Sequence, residues 1–336
     1  MLILGIESTC DETAAAVVAD GKTILSNVIF SQADLHAAYG GVIPELACRR
    51  HLDAIIPVIK EACDNAKVSL KDIDRIAVAK GPGLIGALLI GINTAKTLSL
   101  ALQKPLIGIN HIEAHLYAAM MNQEKLPFPL LGLIVSGGHT TLLLIKGIGS
   151  YSLIGQTIDD AIGEAFDKVA KMLNLPYPGG PEVEKLALDG NPHAYPFKGG
   201  QVKASPFHFS FSGLKTAVLY ALRGQNGAKS SADNPSITLQ QKKDIAASFQ
   251  RAAFEDLIQK TEHALREYEC SGIVFGGGVT NSKTLRAMIL KRFSTIPLYW
   301  PVENLSLDNA AMIAALAFHK EPEALNLILP QTRIPL

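Results

Sequence analysis

Leu130-Leu-Gly-Leu-Ile-Val135, Ser136-Gly-Gly-His139 and Thr140-Thr-Leu-Leu-Leu-Ile145 are an apolar run, a short polar turn and a second apolar run. Runs of this length bounded by glycines read as two strands of a hairpin. The same plan occurs at the start of the chain, in Leu2-Ile-Leu-Gly-Ile6, Glu7-Ser-Thr-Cys-Asp-Glu-Thr13 and Ala14-Ala-Ala-Val-Val18. One hairpin design used twice, about 130 residues apart, suggests two similar domains facing each other. Hairpins are also common, so coincidence is the competing explanation.

Outward from these hairpins, strands alternate with helices. Asp53 to Ala66 has apolar residues at helical spacing, Ile73 to Ala79 reads as a strand, and a long apolar helix opens at Leu84 and runs to about Leu102. Leu106 to Asn110 is a strand feeding a helix that begins at His111. Helices are expected over Asp159 to Leu173, Glu182 to Leu188, Lys242 to Tyr268 and Ala310 to Phe318. Ile273 to Phe275 is a short strand, Gly190 to Ser205 is loop-like, and 224–235 reads as a flexible surface excursion. The tail after Glu321 is weakly patterned. Alternation of this kind argues for α/β architecture with a mixed, largely parallel sheet.

At 336 residues the length favours two domains. Lys+Arg and Asp+Glu are equal at 31, so a nucleic acid would need a local patch or one supplied by partners. Cys10, Cys48, Cys63 and Cys270 form no C-x-x-C pair, which fits reduced thiols better than a disulfide framework or a structural zinc site. Met1-Leu-Ile-Leu-Gly5 has no basic flank and no long apolar core, so it does not read as a signal peptide. The most apolar window, Gly83 to Leu102, is broken by Asn93 and Lys96 and reads as a buried helix rather than a membrane span. A cytoplasmic location and no membrane partner are therefore expected.

His111 and His115 are spaced i, i+4 on a helix, so both rings leave one face and could hold a divalent metal. Glutamate stands at 113 rather than 112, so this is not the H-E-x-x-H of zinc proteases and Glu113 should point away from the metal face. A third ligand must come from elsewhere; Asp308, just before a helix, is a candidate, or else an ordinary N-cap. Ser136, Gly137 and Gly138 follow a strand and could form an amide nest with positive φ angles for a phosphate. Gly276-Gly-Gly-Val-Thr-Asn281 is a second glycine-rich turn, and three consecutive glycines weaken a fold unless close approach is needed. Neither turn is a Rossmann or P-loop signature. Asp167 and Glu184 could accept hydrogen bonds from ribose hydroxyls, or be plain helix surface. Asp11 and Glu12 could hold a metal-bound water or orient a phosphate, or simply form the turn.

Together Gly5-Ile-Glu-Ser-Thr-Cys-Asp-Glu-Thr13, Tyr39-Gly-Gly-Val-Ile-Pro-Glu-Leu-Ala47, Gly81-Pro-Gly83, His111-Ile-Glu-Ala-His115, Ile134-Val-Ser-Gly-Gly-His-Thr140, Gly163-Glu-Ala-Phe-Asp-Lys168, Tyr177-Pro-Gly-Gly-Pro181, Phe209-Ser-Phe-Ser-Gly-Leu-Lys215 and Gly276 to Asn281 resemble the universal threonylcarbamoyl-transfer subunits of tRNA modification. The resemblance runs in order over residues 1 to about 320. It implies duplicated actin-like domains of the actin and hexokinase superfamily, with mixed sheets and flanking helices around a central cleft. One domain would take 1–110 with the C-terminal helix at about 309–336, and the other 111–308. It implies transfer of a threonylcarbamoyl group from threonylcarbamoyl-AMP to the exocyclic N6 amine of the adenosine 3′ of the anticodon, in tRNAs reading codons that begin with A. AMP would leave.

Carried over by residue, the resemblance makes His111, His115 and Asp308 ligands of one metal, iron first and zinc second. Ile134, Val135, Ser136, Gly137 and Gly138 would wrap the donor's phosphate and acyl region. Asp167, Gly180, Glu184 and Asn281 would hold its ribose and base. The family usually has a threonine before the metal-binding aspartate; Leu307 stands there, and the expectation is that a hydrogen bond to that aspartate is lost with it. His139 is the candidate general base, with the donor's own phosphate as the alternative. Implied partners are tRNA, a smaller paralogous subunit (TsaB-like) and an ATPase (TsaE-like). The competing readings are a metal-dependent protease and a noncatalytic nucleotide-binding scaffold.

Overall fold

β1 (Leu2–Glu7) and β2 (Glu12–Ala19) are apolar on both faces and almost wholly buried, as strands flanked by helices on both sides must be. In the computed structural model, which describes residues 1–123, 125–203, 205–223, 237–302 and 305–333, they pair antiparallel, with Leu4 opposite Val17. β3 (Thr23–Ser31) extends the meander, and β4 (Arg75–Gly81) and β5 (Leu106–Asn110) add in parallel on the far side of β1. The order is β3-β2-β1-β4-β5. The second sheet repeats it strand for strand: β6 (Leu130–Val135), β7 (Thr140–Gly147), β8 (Ser150–Gln156), β9 (Ile273–Gly276) and β10 (Leu298–Tyr299) run β10-β9-β6-β7-β8. β6-β7 and β7-β8 are antiparallel, and β6-β9 and β9-β10 parallel. Identical order and sense in both sheets make the repeated hairpins a duplication rather than a coincidence.

Pleating sends alternate residues to opposite cores. In the first sheet Leu4, Ile6, Ala15 and Val17 pack beneath α2 (Pro44–Ala66) and α3 (Ile85–Leu102), with α1 (Ala33–Ala37) between β3 and α2. Ile3, Ala14, Ala16 and Val18 face the other way, onto α4 (His111–Met120) and α10 (Ala310–Ala317). That middle core also takes Leu130, Ile134, Leu143 and Val274, so the two helices are shared between the sheets. The outer face of the second sheet, with Leu131, Leu133 and Phe275, packs beneath α5 (Ile162–Met172), α6 (Gly179–Ala187), α7 (Ser212–Arg223), α8 (Leu239–Glu267) and α9 (Lys283–Arg292). Gly5 permits the central contact: a Cβ there would lie 2.4 Å from the Ala310 carbonyl oxygen and 2.9 Å from the Ala314 methyl.

α3 is the one helix among the described residues long and apolar enough to cross a membrane. Its inner face, Ala87, Leu88, Gly91, Ile92 and Ala95, is buried against the first sheet, while Ile85, Leu89 and Leu100 remain exposed. The helix expected to be buried is thus buried along one face only, and its outer face is partly apolar.

Several elements differ from the sequence reading. The helix expected from Asp159 starts at Ile162, because the Asp159 carboxylate leaves to accept hydrogen bonds from the Ser210 hydroxyl and the Phe211 amide, beside the start of α7. α6 starts at Gly179 rather than Glu182. The tail after Glu321 is tied down: the Glu323 amide donates to Leu106, Lys80 pairs with the Glu323 carboxylate at 2.9 Å, Ile328 is fully buried, and the Gln331 amide donates to Lys80. The excursion expected at 224–235 lies outside the described residues.

Candidate active site

β5 ends at Asn110, whose side-chain oxygen accepts from the Ile112 and Glu113 amides and starts α4 at once. The cap fixes the rotation of α4, so His111 and His115 leave one face with ring centroids 4.6 Å apart. α10 starts the same way: the Asn309 side chain accepts from the Met312 amide and donates to the Leu305 and Leu307 carbonyls. Asp308, expected as either ligand or N-cap, is therefore free of capping and turns to the histidines. Its Oδ1 lies 2.9 Å from His115 Nε2 and 3.5 Å from His111 Nε2. Leu307 carries no hydrogen bond to it and lies half-exposed against Gly278.

The other His111 nitrogen, Nδ1, is 2.9 Å from Glu7 Oε2, and the remaining Glu7 oxygen accepts from the Thr9 amide at 2.7 Å. A carboxylate behind an imidazole holds the proton on Nδ1 and leaves Nε2 as a donor atom. Burial alone would depress His111; the Glu7 and Asp308 carboxylates outweigh it and hold its pKa well above the ordinary value. Burial alone would raise Asp308; the two imidazoles outweigh it and hold its carboxyl well below the usual range. The field that favours a proton on His111 equally favours a divalent cation competing for the same lone pair.

One donor atom from each of His111, His115 and Asp308 lies within 4.8 Å of the others. Two imidazoles and a carboxylate suit ferrous iron and also a catalytic zinc with an open position. The residues present therefore fit a divalent metal. Glu113 points elsewhere, as its position predicts, and pairs with Lys320 at 2.7 Å.

Asp11 and Glu12 sit in the turn after β1, on the Asp308 side. Burial, then the Asp308 and Asp11 charges, push Glu12 up to about 9. Tyr177 lies in the loop before α6: burial first, then the Asp11 and Asp167 charges, raise its hydroxyl pKa. His139 is half-buried near the triad, and burial followed by the His111 and His115 charges lowers it to about 4. Its ring is neutral at physiological pH.

The two glycine turns behave differently. Gly137 and Gly138 are exposed, with nothing within 4 Å of where a Cβ would stand. Neither has positive φ, so the expected nest geometry is absent. The turn closes instead through the Ser136 amide to the His139 carbonyl and the His139 amide to the Ser136 hydroxyl. In Gly276-Gly277-Gly278 the close neighbours belong to the protein. A Cβ on Gly276 would press on the His115 backbone at 3.1 Å, and one on Gly277, at φ +88°, would lie 2.4 Å from the Val135 carbonyl oxygen. These glycines lock β9 against α4 and β6.

Ile134 and Val135 are fully buried strand residues that offer only backbone to a ligand. Asp167 is no free surface carboxylate: it accepts from the Gly179 amide at 2.7 Å, and burial raises its pKa against that bond. Glu184 accepts from the Ser282 hydroxyl and the Thr284 amide, each at 2.8 Å, at the start of α9. Each thus acts as a helix anchor, with a second oxygen left over. Gly180 has open space where a Cβ would stand, and Asn281 is exposed at the end of the 3-10 turn Gly278–Asn281. Sequence reasoning missed Glu7, whose role rests on a contact across 104 positions; the acidic residue ending an otherwise apolar strand was the available signal for it.

The model of the family of tRNA N6-adenosine threonylcarbamoyltransferases, TsaD, matches residues 23–315. The chain belongs to the TsaD family. It is 58% identical to the tRNA N6-adenosine threonylcarbamoyltransferase of Protochlamydia amoebophila (strain UWE25), over 100% of this chain and 98% of that protein. It is 52% identical to the protein of the same name from Chlamydia muridarum, over 94% of this chain and 91% of that one. Among solved structures, T. kodakarensis HypF aligns with TM-score 0.62 at 16% identity, over 95% of this chain and 47% of that one. Component A of (R)-2-hydroxyglutaryl-CoA dehydratase from Acidaminococcus fermentans aligns with TM-score 0.54 at 15% identity, over 95% and 98%. At such identities these structures share the fold alone: the actin-like α/β pair of sheets. Within the TsaD family, then, this chain brings two imidazoles and a carboxylate together beside an open glycine turn.

Proposed function

We propose that the cleft between the two sheets transfers a threonylcarbamoyl group from threonylcarbamoyl-AMP to N6 of the adenosine 3′ of the anticodon in tRNAs reading codons that begin with A. Membership of a transferase family supports the reaction. The observation that carries the site is the convergence of His111, His115 and Asp308 beside Ser136, Gly137 and Gly138.

The donor is a mixed anhydride with a good leaving group, so no nucleophile need be made from a side chain. The tasks are to orient the amine, stabilise charge on the carbonyl and phosphate, and remove one proton. His111, His115 and Asp308 would hold a divalent metal, ferrous iron first and zinc second, which when bound would supply Lewis-acid polarisation. Glu7 orients the His111 ring. The bare turn at Gly137 and Gly138 admits a phosphate or acyl group close to the backbone. The spare oxygens of Asp167 and Glu184, with Gly180 and Asn281, are available to the ribose and base. His139, neutral, can accept the amine proton at a ring nitrogen, and the donor's phosphate is the alternative. Asp11 and Glu12 face the same space and can hold a water or orient the phosphate.

We take 1–110 with 309–336 as one lobe and 111–308 as the other, and place the enzyme in the cytoplasm. The charge balance of 31 against 31 supports tRNA docking shared with a smaller paralogous (TsaB-like) subunit and a TsaE-like ATPase. The protease reading loses its base, because Glu113 is engaged by Lys320. The test is reconstitution with threonylcarbamoyl-AMP, tRNA and the two partner proteins, with metal analysis of the same sample. Modified tRNA and about one metal per chain are expected from the three-donor set. Absence of product, or full activity in a metal-free sample, would overturn the reading.

A further inference from the structure

The turn between β1 and β2 is held from outside at three successive carbonyls. Thr9 accepts from the Leu84 amide at 2.8 Å, Asp11 from the Gln32 amide at 3.1 Å, and Cys10 lies 2.9 Å from His51 Nε2. The first two bonds use backbone amides that any residue supplies. Only the Cys10 bond depends on a side chain.

His51, on α2, is fully buried, and its other nitrogen, Nδ1, lies 2.8 Å from the Thr13 hydroxyl. A carbonyl only accepts, so Nε2 carries the proton and Nδ1 accepts from Thr13. One neutral ring therefore grips the residue before and the residue after Asp11-Glu12. A second buried histidine, His36, accepts from the Ile43 amide at 3.3 Å and ties the segment entering α2 to α1.

We propose that His51 is a positioning residue for transfer: by bridging the Cys10 carbonyl and the Thr13 hydroxyl, it fixes the carboxyl groups of Asp11 and Glu12 against the Asp308 side of the cleft. The inference rests on the proposed site and names a new residue for it. A core histidine with satisfied bonds would contribute stability alone. A bracket around two cleft carboxyl groups contributes geometry as well, and small displacements near reacting groups cost rate steeply.

The test compares His51→Leu, which fills the space without polar atoms, with His51→Gln, whose amide can donate to Cys10 and accept from Thr13. Both are assayed under the conditions that support the wild-type chain, well below their melting temperatures. His51→Leu is expected to keep its metal content and its KM for tRNA within about twofold, while kcat falls by about 10- to 100-fold. His51→Gln is expected to recover to within about fivefold of wild type. A folded His51→Leu variant with wild-type kcat, or a Gln variant as slow as Leu, overturns the proposal. If His51→Leu does not fold, Thr13→Val removes only the Nδ1 bond; it should lower kcat by about threefold or more, and an unchanged kcat in both Thr13→Val and His51→Gln overturns the idea. His115→Ala in the same assay separates the two levels. If it is inactive while the His51 variants are normal, only this inference fails; if it too is normal, the site reading fails.

Discussion

The turns at the tips of the two equivalent hairpins have the same topology and opposite character. The first, between β1 and β2, carries Cys10, Asp11 and Glu12, is pinned at three carbonyls, and raises the pKa of its own Glu12. The second, between β6 and β7, is Ser136-Gly137-Gly138-His139, with two exposed glycines and open space around them. Duplication kept the strands, whose residues must fill two cores at once, and left the tips free to diverge. One tip became acidic and rigid beside His111, His115 and Asp308; the other became bare and accessible.

The largest effect is expected at the charged side. His115→Ala should lower transfer by about a thousandfold or more and remove bound metal while circular dichroism stays native. Normal modification with metal lost would detach the charged side from the chemistry. The glycines of the two glycine-rich turns divide next. Gly277→Ala must strain a φ of +88° and press a Cβ on the Val135 carbonyl, so it should destabilise the fold by about 2–4 kcal/mol in urea unfolding.

Gly137→Ala, in contrast, meets no atom. It should unfold with wild-type stability and raise KM for threonylcarbamoyl-AMP by about tenfold. Equal behaviour of these two glycine variants would erase the distinction between packing glycines and ligand-facing ones. The smallest effect concerns pH. Burial first lowers the pKa of His51, with His36 also lowering it, against the Cys10 bond and the Glu7 and Asp11 charges. The unfolded chain then binds a proton more readily than the native one below about pH 6.5, so His51 stabilises fully above that pH and less as pH falls. The melting temperature should drop more between pH 7 and 5.5 in wild type than in His51→Gln; parallel curves would show that the ring carries no such linkage.

Much of the fold was legible because the central strands announce themselves. Leu2 to Ile6 and Leu130 to Val135 are apolar runs closed by polar turns, and the i, i+4 histidines declare one helix face. The edge strands β3 and β8 were not read, because each mixes exposed and half-buried residues along its length and so shows no clean period. The tail after Glu321 looked unpatterned because it is anchored by single long-range contacts, such as Lys80 with Glu323. In the site, residue types and spacing pointed to His111 and His115 but not to what surrounds them. Glu7 behind one imidazole and His51 behind the acidic turn are meaningful only once distant segments meet. Asp167 and Glu184 show the reverse case: their carboxylates looked free in sequence, and helix N-termini claim them.

His115 and Asp308 are separated by 193 positions, and α10, which delivers the aspartate, is the last regular element among the described residues. During synthesis the paired imidazoles emerge long before their third companion. The three-donor arrangement is therefore complete only once the closing helix docks.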